Sequence, residues 1–219
     1  MEKVAALYLA HLNPVTRAHE TIIANLSKEY NVYVYPVIFL KNNIEINTRT
    51  FPFPYEIRKV MLKGLTTRLN NVNILPDYFF ESPYVKYLPP FISPYSWTLR
   101  KQILRNVKEE EFFSYTGDFA ERLALNLYNL HPKQSRRLEI SASKVKELMY
   151  DEALAKNISR NNSKQTPTDG MSVWKDLVSD HVANIINHNW SIVEKFARMK
   201  DRTVKIMGMK FPAEGILHS

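Results

Sequence analysis

The N-terminal 29 residues constrain the fold most, because a buried strand runs almost directly into a helix. Residues 4–9 form a continuous apolar run that is typical of a buried strand, and residues 20–26 carry apolar side chains at helical spacing. The turn between them contains Thr16 and His19. Free N–H groups at a helix start attract anions, and an imidazole adds another donor. The segment therefore predicts either a phosphate-binding turn or a plain joint in which Thr16 caps the helix.

Strand-like and helix-like segments continue to alternate along the chain. The predicted strands are residues 4–12, 31–40, 72–75, 112–115 and 137–140, and the predicted helices are residues 17–29, 55–68, 95–107, 118–130 and 143–156. This order predicts an α/β fold with a Rossmann-like parallel sheet flanked by helices. Ligands of such sheets bind at the carboxyl ends of the strands. We therefore expect His19 and the loop after Ile140 at the same edge of the sheet.

The chain is expected to divide into three regions. Residues 1–156 form the α/β core, residues 157–171 form a polar loop rich in Asn, Ser and Thr, and residues 172–219 form C-terminal helices and a tail that pack on the core. Helical spacing is found in residues 173–186 and 192–199, but residues 202–219 have no clear period.

Composition limits the class of protein. The 219 residues are 45% hydrophobic and 24% charged, which is ordinary for a globular protein. No apolar run has the length of a membrane span, and no signal-peptide cleavage pattern is found. The absence of cysteine excludes disulfides and thiolate metal sites. We therefore expect a cytoplasmic protein with no membrane partner.

The charge balance indicates an anionic ligand. The net charge is +8 and the isoelectric point is near 9.5, which suits a nucleotide triphosphate, a nucleic acid or an anionic surface. The basic residues are scattered, and neither an RNA-recognition aromatic signature nor a zinc-knuckle spacing is present. A small anionic ligand is therefore favoured over a nucleic acid.

Two short motifs lie at opposite ends of the predicted α/β core. The first is Asn13-Pro14-Val15-Thr16-Arg17-Ala18-His19, and the second is Ile140-Ser141-Ala142-Ser143-Lys144-Val145-Lys146. Together they resemble the nucleotidyltransferase superfamily, whose marks are (H/T)xGH after the first strand and ISSTxxR late in the domain. Each motif alone is weak, but here both occur in the right order at opposite ends of the predicted α/β core.

Other segments resemble archaeal-type nicotinamide-mononucleotide adenylyltransferases. Residues 52–58, Pro-Phe-Pro-Tyr-Glu-Ile-Arg, are similar to their PFTAGER stretch, and Trp97 falls where those enzymes carry a tryptophan against the nicotinamide ring. Residues 114–118 resemble their (S/T)(G/N)N turn, and residues 174–186 resemble a late helix. The resemblance extends to about residue 199.

The resemblance implies a reaction and a set of site residues. The reaction moves AMP from ATP to nicotinamide mononucleotide, gives NAD and pyrophosphate, and uses Mg²⁺ bound to ATP, without a protein metal site. The implied catalytic residues are His19, Thr16 and Lys146. The implied nucleotide-binding residues are Leu12, Asn13, Arg49, Ile140, Ser141 and Ser143. The implied acceptor-binding residues are Trp97, Thr116, Gly117 and Asp118.

The chain departs from the family pattern at identifiable positions. Ala10 and Ala18 replace family glycines, and an added methyl narrows the space where phosphates approach the backbone. Lys146 replaces an arginine and cannot grip phosphate with a bidentate fork. Ser143 replaces a threonine but keeps its hydroxyl. Asp118 replaces an asparagine and cannot donate a hydrogen bond when ionised.

These departures leave alternatives open. The acceptor or nucleotide could differ, as in phosphopantetheine, flavin or CTP-using enzymes of the superfamily. A nucleotide-binding regulator without turnover is a second class, and a basic nucleic-acid binder is a third and weaker one. Residues 141–143 alone are most simply a helix cap, and a tryptophan such as Trp97, taken alone, is more often a core residue than a platform for a ligand ring. The oligomeric state, including a homo-oligomer, stays open.

Overall fold

The computed structural model describes residues 4–89, 92–116, 119–134, 141–161 and 172–216. The strands are β1 (Ala5–Ala10), β2 (Asn31–Pro36), β3 (Ile38–Lys41), β4 (Ile44–Glu45), β5 (Val72–Ile74), β6 (Phe79–Glu81), β7 (Phe112–Thr116), β8 (Pro132–Gln134), β9 (Thr203–Ile206) and β10 (Met209–Pro212). The helices are α1 (Arg17–Ser27), α2 (Tyr55–Thr66), α3 (Pro94–Leu104), α4 (Phe119–Leu127), α5 (Ala142–Asn161), α6 (Asp180–His188) and α7 (Trp190–Ala197).

The main sheet confirms the predicted α/β class. It has five strands in the order β5-β2-β1-β7-β8, and all four pairings are parallel. β1 is central and buried on both faces, since Ala6 and Tyr8 pack into one core while Leu7 and Leu9 pack into the other. This arrangement explains why the first strand is apolar without alternation.

The predicted second strand, residues 31–40, is in fact two strands in different sheets. β2 belongs to the main sheet, whereas β3 pairs with β4 and β6 in a three-stranded sheet. The change occurs at Val37, whose N–H donates to the carbonyl of Ala10, while the N–H of Ile38 donates to the carbonyl of Tyr78. Residues 41–54 and 76–94, which contain no predicted strand, supply β4 and β6.

Other boundaries also differ from the sequence expectation. α5 continues to Asn161, so the first five residues of the expected polar loop are helical. The expected helix over residues 173–186 is a 3-10 turn followed by α6. Ser179 is the N-cap of α6, and its hydroxyl accepts a hydrogen bond from the N–H of Val182. The expected strand at residues 137–140 lies outside the described residues, and β8 is the strand that pairs with β7.

The C-terminal helices pack against the core of one sheet face. Trp174, Val182, Val193 and Phe196 are buried in the same cluster as Val145 of α5. No helix of the described part of the chain has the length and hydropathy needed to cross a membrane.

The segment without clear period, residues 202–216, contains an antiparallel hairpin of β9 and β10. Met207 and Gly208 form its two-residue turn with φ values of 49° and 86°, which is the left-handed geometry of a type I′ turn. Phe211 anchors the hairpin in an aromatic cluster, 5.6 Å between ring centroids from Phe39 and 5.8 Å from Phe80. The hairpin is therefore held against the three-stranded sheet.

Candidate active site

A cavity of about 340 Å³ lies at the carboxyl end of β1. Three parts of the chain converge on it: the segment that follows β1, the start of α5 and the hairpin of β9 and β10. Its polar and charged lining residues are His11, Asn13, Thr50, Tyr78, Glu121, Ser143, Lys146, Lys205 and Lys210. This position agrees with the rule that ligands of parallel sheets bind at the carboxyl ends of strands.

Thr16 and His19 form a capping box at the start of α1. The hydroxyl of Thr16 accepts from the N–H of His19 at 3.4 Å, and Nδ1 of His19 accepts from the N–H of Thr16 at 3.0 Å. In a neutral imidazole whose Nδ1 accepts, the proton is carried by Nε2. The helix cap therefore places the ring proton on Nε2, and His19 is not among the described residues that line the cavity.

Burial keeps His19 neutral. Its pKa is lowered to about 4, first by burial and then by the charge of Lys146. The electrostatic effect of Lys146 indicates that these two residues, 127 positions apart in sequence, are close in space. At neutral pH, His19 is thus a hydrogen-bond donor without a positive charge.

Lys146 is held by two backbone carbonyls. Its Nζ donates to the carbonyl of Thr50 at 2.6 Å and to that of Asn13 at 3.0 Å, and the residue is only 8% exposed. Burial and the charge of Lys210 lower its pKa to about 7. Lys146 therefore ties α5 to the segment after β1 and to the loop before α2, and it lines the cavity.

Asn13 and Arg58 also connect these segments. The side chain of Asn13 pairs with both backbone groups of Phe53, at 2.8 and 3.1 Å, and is 2% exposed. Arg58 donates to the carbonyls of His11 and Val37 and forms an ion pair with Glu45 at 3.0 Å. Asn13 thus faces the cavity through its backbone, and its side chain is engaged in the fold.

Arg49 contacts the end of α7. Its Nη1 donates to the carbonyls of Phe196, Ala197 and Met199, and the guanidinium lies 4.4 Å from the ring centroid of Tyr150. Arg49 is not among the described residues that line the cavity.

The start of α5 faces the cavity through Ala142 and Ser143. The hydroxyl of Ser141 accepts from the N–H of Lys144 at 3.2 Å and caps the helix. The helix is 20 residues long, so its aligned backbone dipoles favour an anion at this end. Ile140 lies outside the described residues.

The expected acceptor residues are not brought together. Thr116 ends β7, is 3% exposed and donates to Glu121 at 2.5 Å. Trp97 lies on α3 and is 43% exposed, but does not line the cavity. Gly117 and Asp118 lie outside the described residues. Leu12 is buried after β1, with a left-handed backbone at φ 49°.

Several cavity residues were not expected from the sequence. His11 stacks on Phe51 with 4.5 Å between ring centroids, and burial lowers its pKa to about 3. Lys205 and Lys210 come from a segment without a recognisable period. The sequence feature that indicates the hairpin is the two-residue turn Met207-Gly208, which lies between two short stretches with β-branched or aromatic residues.

The described residues contain no group of three or more His, Asp or Glu side chains that could hold a metal ion.

Comparison with known proteins identifies the fold. No family model and no curated protein sequence matches this chain. The AMP- and Mn-bound bifunctional NMN adenylyltransferase/ADP ribose pyrophosphatase of Francisella tularensis matches 88% of this chain and 54% of its own, with 13% identity and a TM-score of 0.50. A Vibrio parahaemolyticus protein provisionally assigned as a nicotinate-nucleotide adenylyltransferase matches 89% of this chain and 97% of its own, with 13% identity and a TM-score of 0.51.

This chain thus spans little more than half the length of the Francisella protein. At such low identity, the similarity establishes a shared α/β fold.

Proposed function

We propose that the protein is an adenylyltransferase that moves AMP from ATP to a pyridine mononucleotide, with nicotinamide mononucleotide as the favoured acceptor. The observation that carries this proposal is the cavity at the carboxyl end of β1, which Lys146 lines, next to the helix start that His19 caps. Nδ1 of His19 is fixed by the helix cap, and Nζ of Lys146 is fixed by two backbone carbonyls. The names of the two similar solved structures support the same class of acceptor.

In the proposed reaction, a phosphate oxygen of the acceptor attacks the α-phosphorus of ATP. The bond from that phosphorus to the bridging oxygen breaks, and pyrophosphate leaves with the electron pair. Such a transfer depends on alignment and charge stabilisation rather than on a nucleophilic side chain. Nε2–H of His19 donates to a phosphate oxygen as negative charge moves onto the leaving group.

The other proposed roles follow from position. Thr16 orients His19 and has its hydroxyl at the start of α1. Ser141 caps α5, and Ser143 and Lys146 belong to its first turns, where the helix dipole favours the phosphates. Mg²⁺ enters on the triphosphate of ATP and is held mainly by its oxygens and by water.

The acceptor site is proposed at the end of β7 and near α3. Thr116, Gly117 and Asp118 would contact the acceptor, and Trp97 would stack on its pyridine ring. Trp97 is 43% exposed, and an indole ring contributes a large apolar surface when it stacks on another ring.

A second candidate is a nucleotide-binding protein without turnover. Two observations favour it. The Nζ of Lys146 already donates to two carbonyls, and the cavity of about 340 Å³ lies at the small end of the usual range for small-molecule sites. A related transferase for another acceptor, such as a phosphopantetheine or flavin phosphate, or one that uses CTP, is the third candidate.

One experiment separates these candidates. The purified protein is incubated with Mg²⁺, with ATP or CTP, and with nicotinamide mononucleotide, nicotinate mononucleotide, phosphopantetheine or flavin mononucleotide, and pyrophosphate is followed. We expect release with ATP and a pyridine mononucleotide. Faster release with another pair would assign a different transferase, and ATP binding without release in any mixture would favour the second candidate.

A further inference from the structure

Lys146 has limited capacity to bind phosphate directly. An ammonium group has three N–H donors, and two of those of Lys146 are directed to the carbonyls of Asn13 and Thr50. Withdrawing Lys146 from these carbonyls would leave two buried acceptors without a partner, which is costly. The site therefore needs other cations to bind a triphosphate along its length.

The hairpin of β9 and β10 supplies two such cations. Lys205 and Lys210 are directly opposite each other in the antiparallel register, and both line the cavity. Both are solvent-exposed, so their ammonium groups remain available to a ligand. Other side chains hold the hairpin in place. Phe211 is buried, and the carboxylate of Asp201 accepts hydrogen bonds from the hydroxyls of Thr203 and Thr50.

Lys205 and Lys210 place two like charges side by side at the cavity wall. Like charges directly opposite each other in a β-ribbon are destabilising. Among the described residues, no ion pair involves Lys205 or Lys210, and Glu121 is the one carboxylate that lines the cavity. Lys210 is also close enough to Lys146 to lower its pKa. A polyanion in the cavity would relieve this repulsion.

We propose that Lys205 and Lys210 bind the β- and γ-phosphates of ATP, and then the pyrophosphate product. In this arrangement Lys146 connects the segments of the cavity wall, while the hairpin makes the direct phosphate contacts. The assignment to ATP rests on the proposed function. The ligand class itself, a polyphosphate, rests on the lysine pair and the cavity.

The test compares the binding of AMP, ATP and pyrophosphate by calorimetry at fixed salt and Mg²⁺, without an acceptor. The variants are Lys205→Met, Lys210→Met and the double variant. Lys63→Met, on the exposed surface of α2, is the matched control for the loss of one charge. We expect each hairpin variant to weaken ATP and pyrophosphate about tenfold, or about 1.4 kcal/mol, and the double variant about a hundredfold. AMP affinity should stay within about twofold, because AMP lacks the two outer phosphates.

Thermal unfolding gives an independent measure. Without a ligand, Lys210→Met should unfold at the same temperature as the wild-type protein or higher, because the cross-strand repulsion is removed. In saturating pyrophosphate, the wild-type protein should gain more in unfolding temperature than the variant does.

The outcomes distinguish the inference from the function. If the double variant binds ATP and pyrophosphate within twofold of wild type, or if AMP loses as much affinity as ATP, the lysine pair is not a polyphosphate site. A wild-type protein that binds no pyrophosphate also overturns the inference. If pyrophosphate binding depends on the lysines but no transfer occurs, the proposed function fails and the site stands. If the double variant transfers AMP with an unchanged KM for ATP, the function stands and the inference fails.

Discussion

At the scale of single residues, the two ring nitrogens of His19 have different roles: Nδ1 caps α1, and Nε2 is the proposed donor to phosphate. Nδ1 completes the cap of α1, and this leaves the proton on Nε2. Sequence reasoning could identify His19 from its place between a strand and a helix. It could not identify the neutral state of the ring, because that state depends on burial and on Lys146, which is distant in sequence.

Replacing His19 tests its proposed role. His19→Ala should lower turnover on the order of 100–1,000-fold, because one preorganised donor to the transition state is lost. The same change also removes half of the capping box, which costs about 1 kcal/mol of stability. His19→Glu separates the two effects, since a glutamate at this position caps the helix but repels phosphate. Turnover within threefold of wild type in folded His19→Ala protein would contradict the assignment.

Trp97 tests the acceptor. If its ring stacks on a pyridine, Trp97→Ala should raise the acceptor's KM several-fold to about tenfold and leave the KM of ATP unchanged. Tyr95→Ala is the control, since Tyr95 is also exposed on α3. Equal changes in the acceptor's KM for both variants would indicate that Trp97 does not contact the acceptor.

At the scale of elements, apolar spacing predicts most helices and central strands but not their partners. Residues 31–40 form one continuous apolar pattern, yet the chain passes from the main sheet to the three-stranded sheet at Val37. The N–H of Val37 donates to the carbonyl of Ala10, which is distant in sequence. The polar segment at 41–45 gives no strand signal, since β4 has only two residues. The hairpin was missed because its apolar face is short and is completed by aromatic rings from another sheet.

Arg49 is the element-scale test. In the structure it caps α7 by donating to three carbonyls, whereas the family resemblance implies a nucleotide contact. Arg49→Met should lower the free energy of unfolding by about 2 kcal/mol, as expected for charge-assisted hydrogen bonds. ATP affinity, measured well below the unfolding transition, should change by less than about threefold. A large loss of affinity with unchanged stability would instead support the nucleotide contact.

At the scale of the whole molecule, the buried histidines link stability to pH. The pKa values of His11 and His19 are lowered to about 3 and 4, so the unfolded chain binds more protons than the folded chain below about pH 6.5. Their contribution to stability is fully present above pH 6.5. It is lost as the pH falls towards 4 for His19 and towards 3 for His11.

Urea unfolding between pH 7.5 and 4 measures this effect. In the acid range each histidine can contribute at most about 1.4 kcal/mol per pH unit. His11→Gln should therefore have a shallower loss of stability with falling pH than the wild-type protein, whatever its stability at pH 7.5. Parallel curves for the two proteins would contradict the buried neutral state of His11.

The hairpin of β9 and β10 is synthesised after the rest of the cavity wall. The other walls of the cavity come from residues 11–146, but Lys205 and Lys210 belong to strands made much later. Every strand of the parallel sheet is therefore synthesised before two of the three lysines that line the cavity. A chain truncated before residue 203 would contain all five strands of that sheet but would lack the polyphosphate site proposed above.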